Sequence, residues 1–103
     1  DLINVKTIYI GGGTPSVIEA KYINEIISNI KQNYNVDSDV EITIEVYPGA
    51  CNKEKLKSYF DSGINRISIG LQSVNNEVLK QIGRIHSYEE FLDTYNNARE
   101  VRI

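Results

Sequence analysis

The sequence predicts an α/β fold of parallel strands joined by crossover helices, and three observations carry that prediction. Three short runs, residues 5–10, 41–46 and 66–71, are rich in Ile and Val, alternate with period two, and end at Gly, Pro or polar residues. Such runs are strands. Between them the apolar residues recur at helical spacing. The resulting order is β-α-β-α-β-α-α, and a helix-containing connection between neighbouring strands demands parallel strands joined right-handedly.

After the first strand, residues 16–34 read as a helix whose apolar stripe is Ile18, Tyr22, Ile23, Ile26, Ile27 and Ile30. Its start is marked twice, by Thr14 before Pro15 and by a Ser16 to Glu19 capping box. A second helix spans residues 53–61, with Asn52 as its cap and Gly63 just past its end. A third, short helix follows Asn75 and Asn76 and stops near Gly83. The fourth opens with a capping box from Ser87 to Glu90 and runs through Phe91, Leu92, Tyr95 and Ala98.

Composition narrows the function classes. With 103 residues the chain is one domain or part of one, with a compact radius of gyration of about 13 Å. A single cysteine, Cys51, excludes an internal disulfide and a protein-only thiolate cluster, and one histidine, His86, leaves no zinc site. Eleven basic residues scattered among fourteen acidic ones give no footprint for nucleic acid. No signal peptide opens the sequence, and no apolar run reaches the roughly 18 residues of a membrane span. A soluble, cytoplasmic protein is expected.

Alternation sorts the strands into two faces. Ile8, Ile10, Ile42, Ile44, Val46, Ile67, Ile69 and Leu71 share the apolar face; Thr7, Tyr9, Glu41, Thr43, Glu45, Arg66, Ser68 and Gly70 share the other. A doubly wound sheet buries both faces and reads as continuous apolar runs. One half-polar face fits better with a segment of a TIM-like (β/α) barrel, helices outside and a ligand-holding lumen inside. Parity places Gly11, Gly13 and Gln72 on the side of Tyr9 and Glu45, at the carboxyl ends of the strands where parallel α/β proteins bind ligands.

Several residues there carry chemistry. Gly11, Gly12, Gly13 and Thr14 join the first strand to the first helix, where glycines let backbone N–H groups approach a ligand. A plain tight turn needs only one glycine. No Gly-Lys-Ser/Thr follows, which excludes a Walker A loop, and Ser16 stands where a dinucleotide fingerprint has its third glycine. Glu45 is a carboxylate at a strand end, a solvated charge or an acceptor for ribose hydroxyls or an ammonium group. Gln72 offers an amide that donates and accepts, or a cap for the next helix. Arg84 either stabilises a helix carboxyl end or holds a carboxylate bidentately. His86 reads as structural and Cys51 as inert.

Four stretches together resemble the radical S-adenosylmethionine enzymes: IYIGGGTPS at residues 8–16, IEVYPG at 44–49, GINRISIGLQS at 63–73 and GRIH at 83–86. More narrowly, the chain resembles the oxygen-independent coproporphyrinogen III oxidases and their haem-chaperone-like relatives. The resemblance implies a partial (β/α) barrel whose carboxyl end holds a 4Fe-4S cluster and S-adenosylmethionine. It implies that Gly12, Gly13 and Thr14 meet the methionine moiety. Glu45, Gln72 and Arg84 then bind the amino, carboxylate and ribose groups. In the oxidases, cofactor cleavage yields a 5′-deoxyadenosyl radical that starts oxidative decarboxylation of two propionates to vinyl groups in porphyrin biosynthesis.

Two departures stand out. Tyr47 sits where that family commonly has Asn or Asp before the proline, a change that leaves Glu45 in place. The family's three-cysteine cluster motif is absent; the resemblance puts it upstream of Asp1 and the later barrel strands downstream of Ile103. Residues 1–103 are therefore expected to be an inactive fragment of an oxidoreductase. The alternatives are a haem chaperone of the same architecture, which binds and delivers haem, or a generic nucleotide-binding α/β domain. Three parallel strands with open edges also predict that the fragment self-associates.

Overall fold

The computed structural model describes residues 3–12, 18–49, 51–70, 75–81 and 87–103. Its elements follow the expected order: β1 (Asn4–Ile10), α1 (Ala20–Asn33), β2 (Asn35–Val46), α2 (Lys53–Ser62), β3 (Arg66–Ile69), α3 (Asn76–Gln81) and α4 (Tyr88–Glu100). The strands form one sheet in the order β1-β2-β3, both pairs parallel. The helices stack on the sheet face that carries the apolar side chains. Ile8, Ile42, Ile44 and Val46 from that face are buried with Ile23 and Ile27 of α1, Leu56 and Tyr59 of α2, and Ala98 of α4.

Register fixes which residues meet across the strands. Tyr9 is level with Thr43 and Ile10 with Ile44; Glu45 is level with Ser68. β2 begins six residues earlier than the sequence pattern indicates. Asn35 and Val36 pair with Asn4 and Val5, after which the register shifts between Val5 and Thr7. The polar Asp37, Ser38 and Asp39 interrupt the alternation there, so the extension is invisible to a period-two search. Asp37 nevertheless accepts a 2.7 Å hydrogen bond from the Asn4 side chain.

Caps decide the helix ends. The Asn52 side chain accepts from the Lys55 N–H at α2, and Gly63, at φ 108°, closes that helix in the left-handed region. Asn75 accepts from the Glu77 and Val78 N–H groups at α3. Both halves of the Ser87–Glu90 capping box are formed at α4. α1 departs from expectation: it starts at Ala20, after both sequence-marked starts, and Glu19 at its N-cap makes no side-chain cap bond.

The α1 stripe is also split. Ile23 and Ile27 are buried, whereas Ile18, Tyr22 and Ile26 are exposed. In α4 the buried positions are Thr94 and Ala98, while Leu92 and Tyr95 face outward. The Thr94 hydroxyl donates to the Glu90 carbonyl and accepts from the Gly49 N–H at 3.1 Å, tying α4 to the turn after β2. With helices on one face only, the radius of gyration is 14.9 Å, above the roughly 13 Å of a compact domain this long. No helix among the described residues is long and apolar enough to cross a membrane.

Candidate functional site

The sheet face away from the helices carries the polar side chains expected of it. Tyr9, Glu41, Arg66 and Ser68 are exposed and Glu45 is half-buried. Thr43, level with Tyr9 on one side and Arg66 on the other, is fully covered.

Glu45 is the centre of this face. It lies next to last in β2, and the register makes it level with the position after Ile10, which is Gly11. A side chain at Gly11 would point at Glu45. A Cβ built there falls 2.6 Å from Tyr9 Cε1 and 2.8 Å from Glu45 Oε1, closer than real Cβ contacts come. Its absence lets the carboxylate reach β1. The Tyr9 hydroxyl donates to Glu45 Oε2 at 2.7 Å, and the Gly12 N–H donates to Oε1 at 2.9 Å. Gly12 adopts φ 88° in the left-handed region, with no atom of the described residues within 4 Å of where its Cβ would be. Gly12 thus places a backbone N–H without a side chain directly beside an anchored carboxylate.

The two donors hold the Glu45 carboxyl below the usual carboxylate range, the Tyr9 hydroxyl first and the Gly12 N–H second, against a smaller opposing effect of desolvation. The same bond raises the Tyr9 phenol, while Ser68 and the Arg66 guanidinium on β3, beyond β2, pull it back. Glu41 and Arg66 pair at 3.7 Å across β2 and β3.

Of the six cofactor-site residues expected from sequence, Gly12 and Glu45 are brought together here. Gly13, Thr14, Gln72 and Arg84 lie outside the described residues, as does His86. Tyr9 was assigned to the polar face but not to the site. The signal was present, because Tyr9 and Glu45 share a face and both stand just before a glycine or proline turn. Only the register brings them within reach of each other. Cys51 is buried in the core beside Tyr59, whose phenol is pushed up mainly by burial.

Chemically, an ionised carboxylate accepts about four hydrogen bonds, and Glu45 uses one on each oxygen. It retains acceptor capacity toward a hydroxyl or ammonium group, which fits the polar groups of S-adenosylmethionine. An iron–sulfur cluster is not matched here. Among the described residues no group of three or more His, Cys, Asp or Glu is placed to hold a metal.

Comparison with known proteins gives the same direction. The chain is 41% identical over 93 residues to the heme chaperone HemW of Haemophilus influenzae, covering 90% of this chain and 24% of the relative. It is 36% identical over 97 residues to the mitochondrial radical S-adenosyl methionine domain-containing protein 1 of Danio rerio, covering 94% and 22%. Among solved structures, coproporphyrinogen III oxidase (HemN) from Escherichia coli superposes with a TM-score of 0.86 at 32% identity. That match covers 95% of this chain and 23% of the oxidase. The chain therefore spans about a quarter of the length of such relatives. The family model described as the radical SAM superfamily matches residues 1–103, the full extent of the sequence, and the chain belongs to that superfamily.

Proposed function

We propose that residues 1–103 form the S-adenosylmethionine-binding part of a longer radical S-adenosylmethionine protein that handles haem or a porphyrin. The carrying observation is the Glu45 carboxylate anchored by Tyr9 and the Gly12 N–H at the carboxyl ends of two neighbouring parallel strands. In this reading Gly12, Gly13 and Thr14 meet the methionine moiety, and Glu45, Gln72 and Arg84 take its polar groups and the ribose. When bound, S-adenosylmethionine together with a 4Fe-4S cluster, whose cysteine ligands would lie outside residues 1–103, would supply radical chemistry. This chain's own residues bind and orient S-adenosylmethionine. The protein acts in the cytoplasm, and the 103-residue piece alone is inactive.

Two readings of the substrate have support. The names of relatives at 41% and 37% identity favour binding and delivery of haem. The backbone match to an oxidase favours oxidative decarboxylation of coproporphyrinogen III to protoporphyrinogen IX. We take the haem chaperone as the first reading, because two relatives at higher identity carry it. The test uses the full-length protein: a haem titration alongside a coproporphyrinogen turnover assay under anaerobic, reducing conditions. Saturable haem binding without turnover is expected. Turnover dependent on S-adenosylmethionine transfers the assignment to the oxidase, and the absence of both haem binding and turnover removes the tetrapyrrole reading altogether.

A further inference from the structure

We propose that Tyr9 is a positioning residue of the cofactor site, its hydroxyl clamping the Glu45 carboxylate against the Gly12 N–H so that an incoming hydroxyl or ammonium group meets an acceptor already fixed in place. The proposal rests on the reading of Glu45 as a cofactor ligand and adds a residue that this reading does not contain.

Geometry carries it. Tyr9 and Gly12 are three residues apart on one chain segment, and Glu45 reaches across from β2 to bond with both. The three groups close a ring around Gly11, the position where a Cβ would collide with Tyr9 and Glu45. A glutamate side chain at a strand end otherwise samples several rotamers, and ordering it on binding weakens affinity. Here that ordering is done before the ligand arrives. Tyr9 is 57% exposed, an aromatic on an open face whose hydroxyl is committed to the carboxylate.

The charged and titratable groups on this face come from all three strands. Tyr9 stands on β1, Glu41 and Glu45 on β2, and Arg66 on β3, with Glu41 and Arg66 paired to each other. Of these, Tyr9 is the side chain that bonds Glu45 and the largest cause of its lowered proton affinity. Removing the hydroxyl returns Glu45 toward the ordinary carboxylate range, so protonation then intrudes at higher pH.

The experiment measures S-adenosylmethionine binding to the full-length protein by calorimetry between about pH 4 and 7, comparing wild type, Tyr9→Phe and Glu45→Gln. Tyr9→Phe is expected to bind roughly three- to tenfold more weakly at neutral pH, with the acid-side loss of affinity displaced to higher pH. Glu45→Gln binds weakly throughout and loses the acid limb. A Tyr9→Phe curve superimposed on wild type, with Glu45→Gln weakened, overturns the role of Tyr9 and leaves Glu45 as a ligand. A uniform loss in Tyr9→Phe without displacement of the acid limb makes Tyr9 a mere structural support and also overturns it. Unchanged binding in Glu45→Gln removes both ideas. A second readout needs no ligand and no folded Tyr9 variant: Glu45→Gln should bring one phenolate titration to lower pH, and an unchanged phenolate curve counts against the clamp.

Discussion

The Gly12 N–H donates to Glu45 Oε1 at 2.9 Å, joining the turn after β1 to the end of β2 across 33 residues of sequence. A parallel sheet places these two segments side by side at its carboxyl edge, and the glycine turn has no side chain to fill the gap. The carboxylate therefore acts inward as a fastener for the turn while keeping acceptor capacity for a ligand. One residue thus links the shape of the loop to the chemistry of the site.

Gly11→Ala tests this arrangement most directly. The added methyl would sit 2.6 Å from Tyr9 Cε1 and 2.8 Å from Glu45 Oε1, so one of the two side chains must leave its place. We expect S-adenosylmethionine binding by the full-length protein to weaken about tenfold, with little loss of stability because both crowding side chains lie on the sheet face away from the helices and outside the core. Calorimetry and a thermal melt on the same sample separate the two effects. Full affinity in the alanine variant would show that the carboxylate need not reach β1.

Asn65 is a polar support of the sheet itself. Its side-chain amide donates to the Val40 carbonyl and accepts from the Ile42 N–H, both at 2.9 Å, just before β3 begins pairing with β2. The side chain extends the ladder by standing in for a peptide group. Asn65→Ala should cost about 1–3 kcal/mol, since two strand groups lose their partners. The denaturant midpoint of the full-length protein reports it, and an unshifted midpoint would mean water replaces the amide without penalty.

How far the sequence could be read follows from the range of each signal. Asn52, Gly63 and the Ser87–Glu90 box act within four residues, and each helix end they mark is where the pattern put it. The two-faced strands were equally legible, because alternation is local. The split α1 stripe and the outward Tyr95 were not. An apolar residue on a helix is buried only where another element covers it, which spacing does not encode. Thr94 illustrates the converse: a hydroxyl takes the buried position because Gly49 N–H needs an acceptor there. In the site, Glu45 was legible as a strand-end carboxylate, whereas its bond to Tyr9, 36 residues away in sequence, depends on the register between β1 and β2.

Stability against acid has a defined sign. Glu45 is held below the ordinary carboxylate range when folded, as is Glu89, by its own backbone N–H and then by the Asn76 side chain. A depressed folded-state pKa contributes stability above the unfolded value, about 4.3, and loses it as pH falls through the folded value. Glu45→Gln should therefore flatten the decline in stability below about pH 4.3. Denaturation midpoints taken from pH 6 down to about 3 provide the comparison, and parallel slopes for variant and wild type would refute the linkage.

Thr94→Val keeps the volume of a buried side chain but leaves the Gly49 N–H without its acceptor. The expected cost is about 1–3 kcal/mol. Its location makes the loss informative: Gly49 lies four residues after Glu45, at φ 81°, so loosening this turn frees the end of β2. Hydrogen exchange at the Tyr47 and Gly49 amides, which flank Pro48, should accelerate in the variant relative to the core of β2. Equal protection in both proteins would show that the turn is held by other contacts.

The 103-residue chain is expected to self-associate when prepared alone. β1 and β3 are the two edges of the sheet, each with one side unpaired among the described residues, and β1 is seven residues long. Ile18, before α1, and Tyr22 and Ile26, on it, add exposed apolar surface. Edges of this kind pair with other chains unless blunted by charge or bulges. The register shift between Val5 and Thr7 blunts only the first part of β1, leaving Thr7 to Ile10 regular. Sedimentation at tens of micromolar should therefore show dimers or larger species. Adding charge at the edge, by Thr7→Lys, should shift the distribution toward monomer. A wild-type chain that sediments as a monomer throughout this range would rule the edge pairing out.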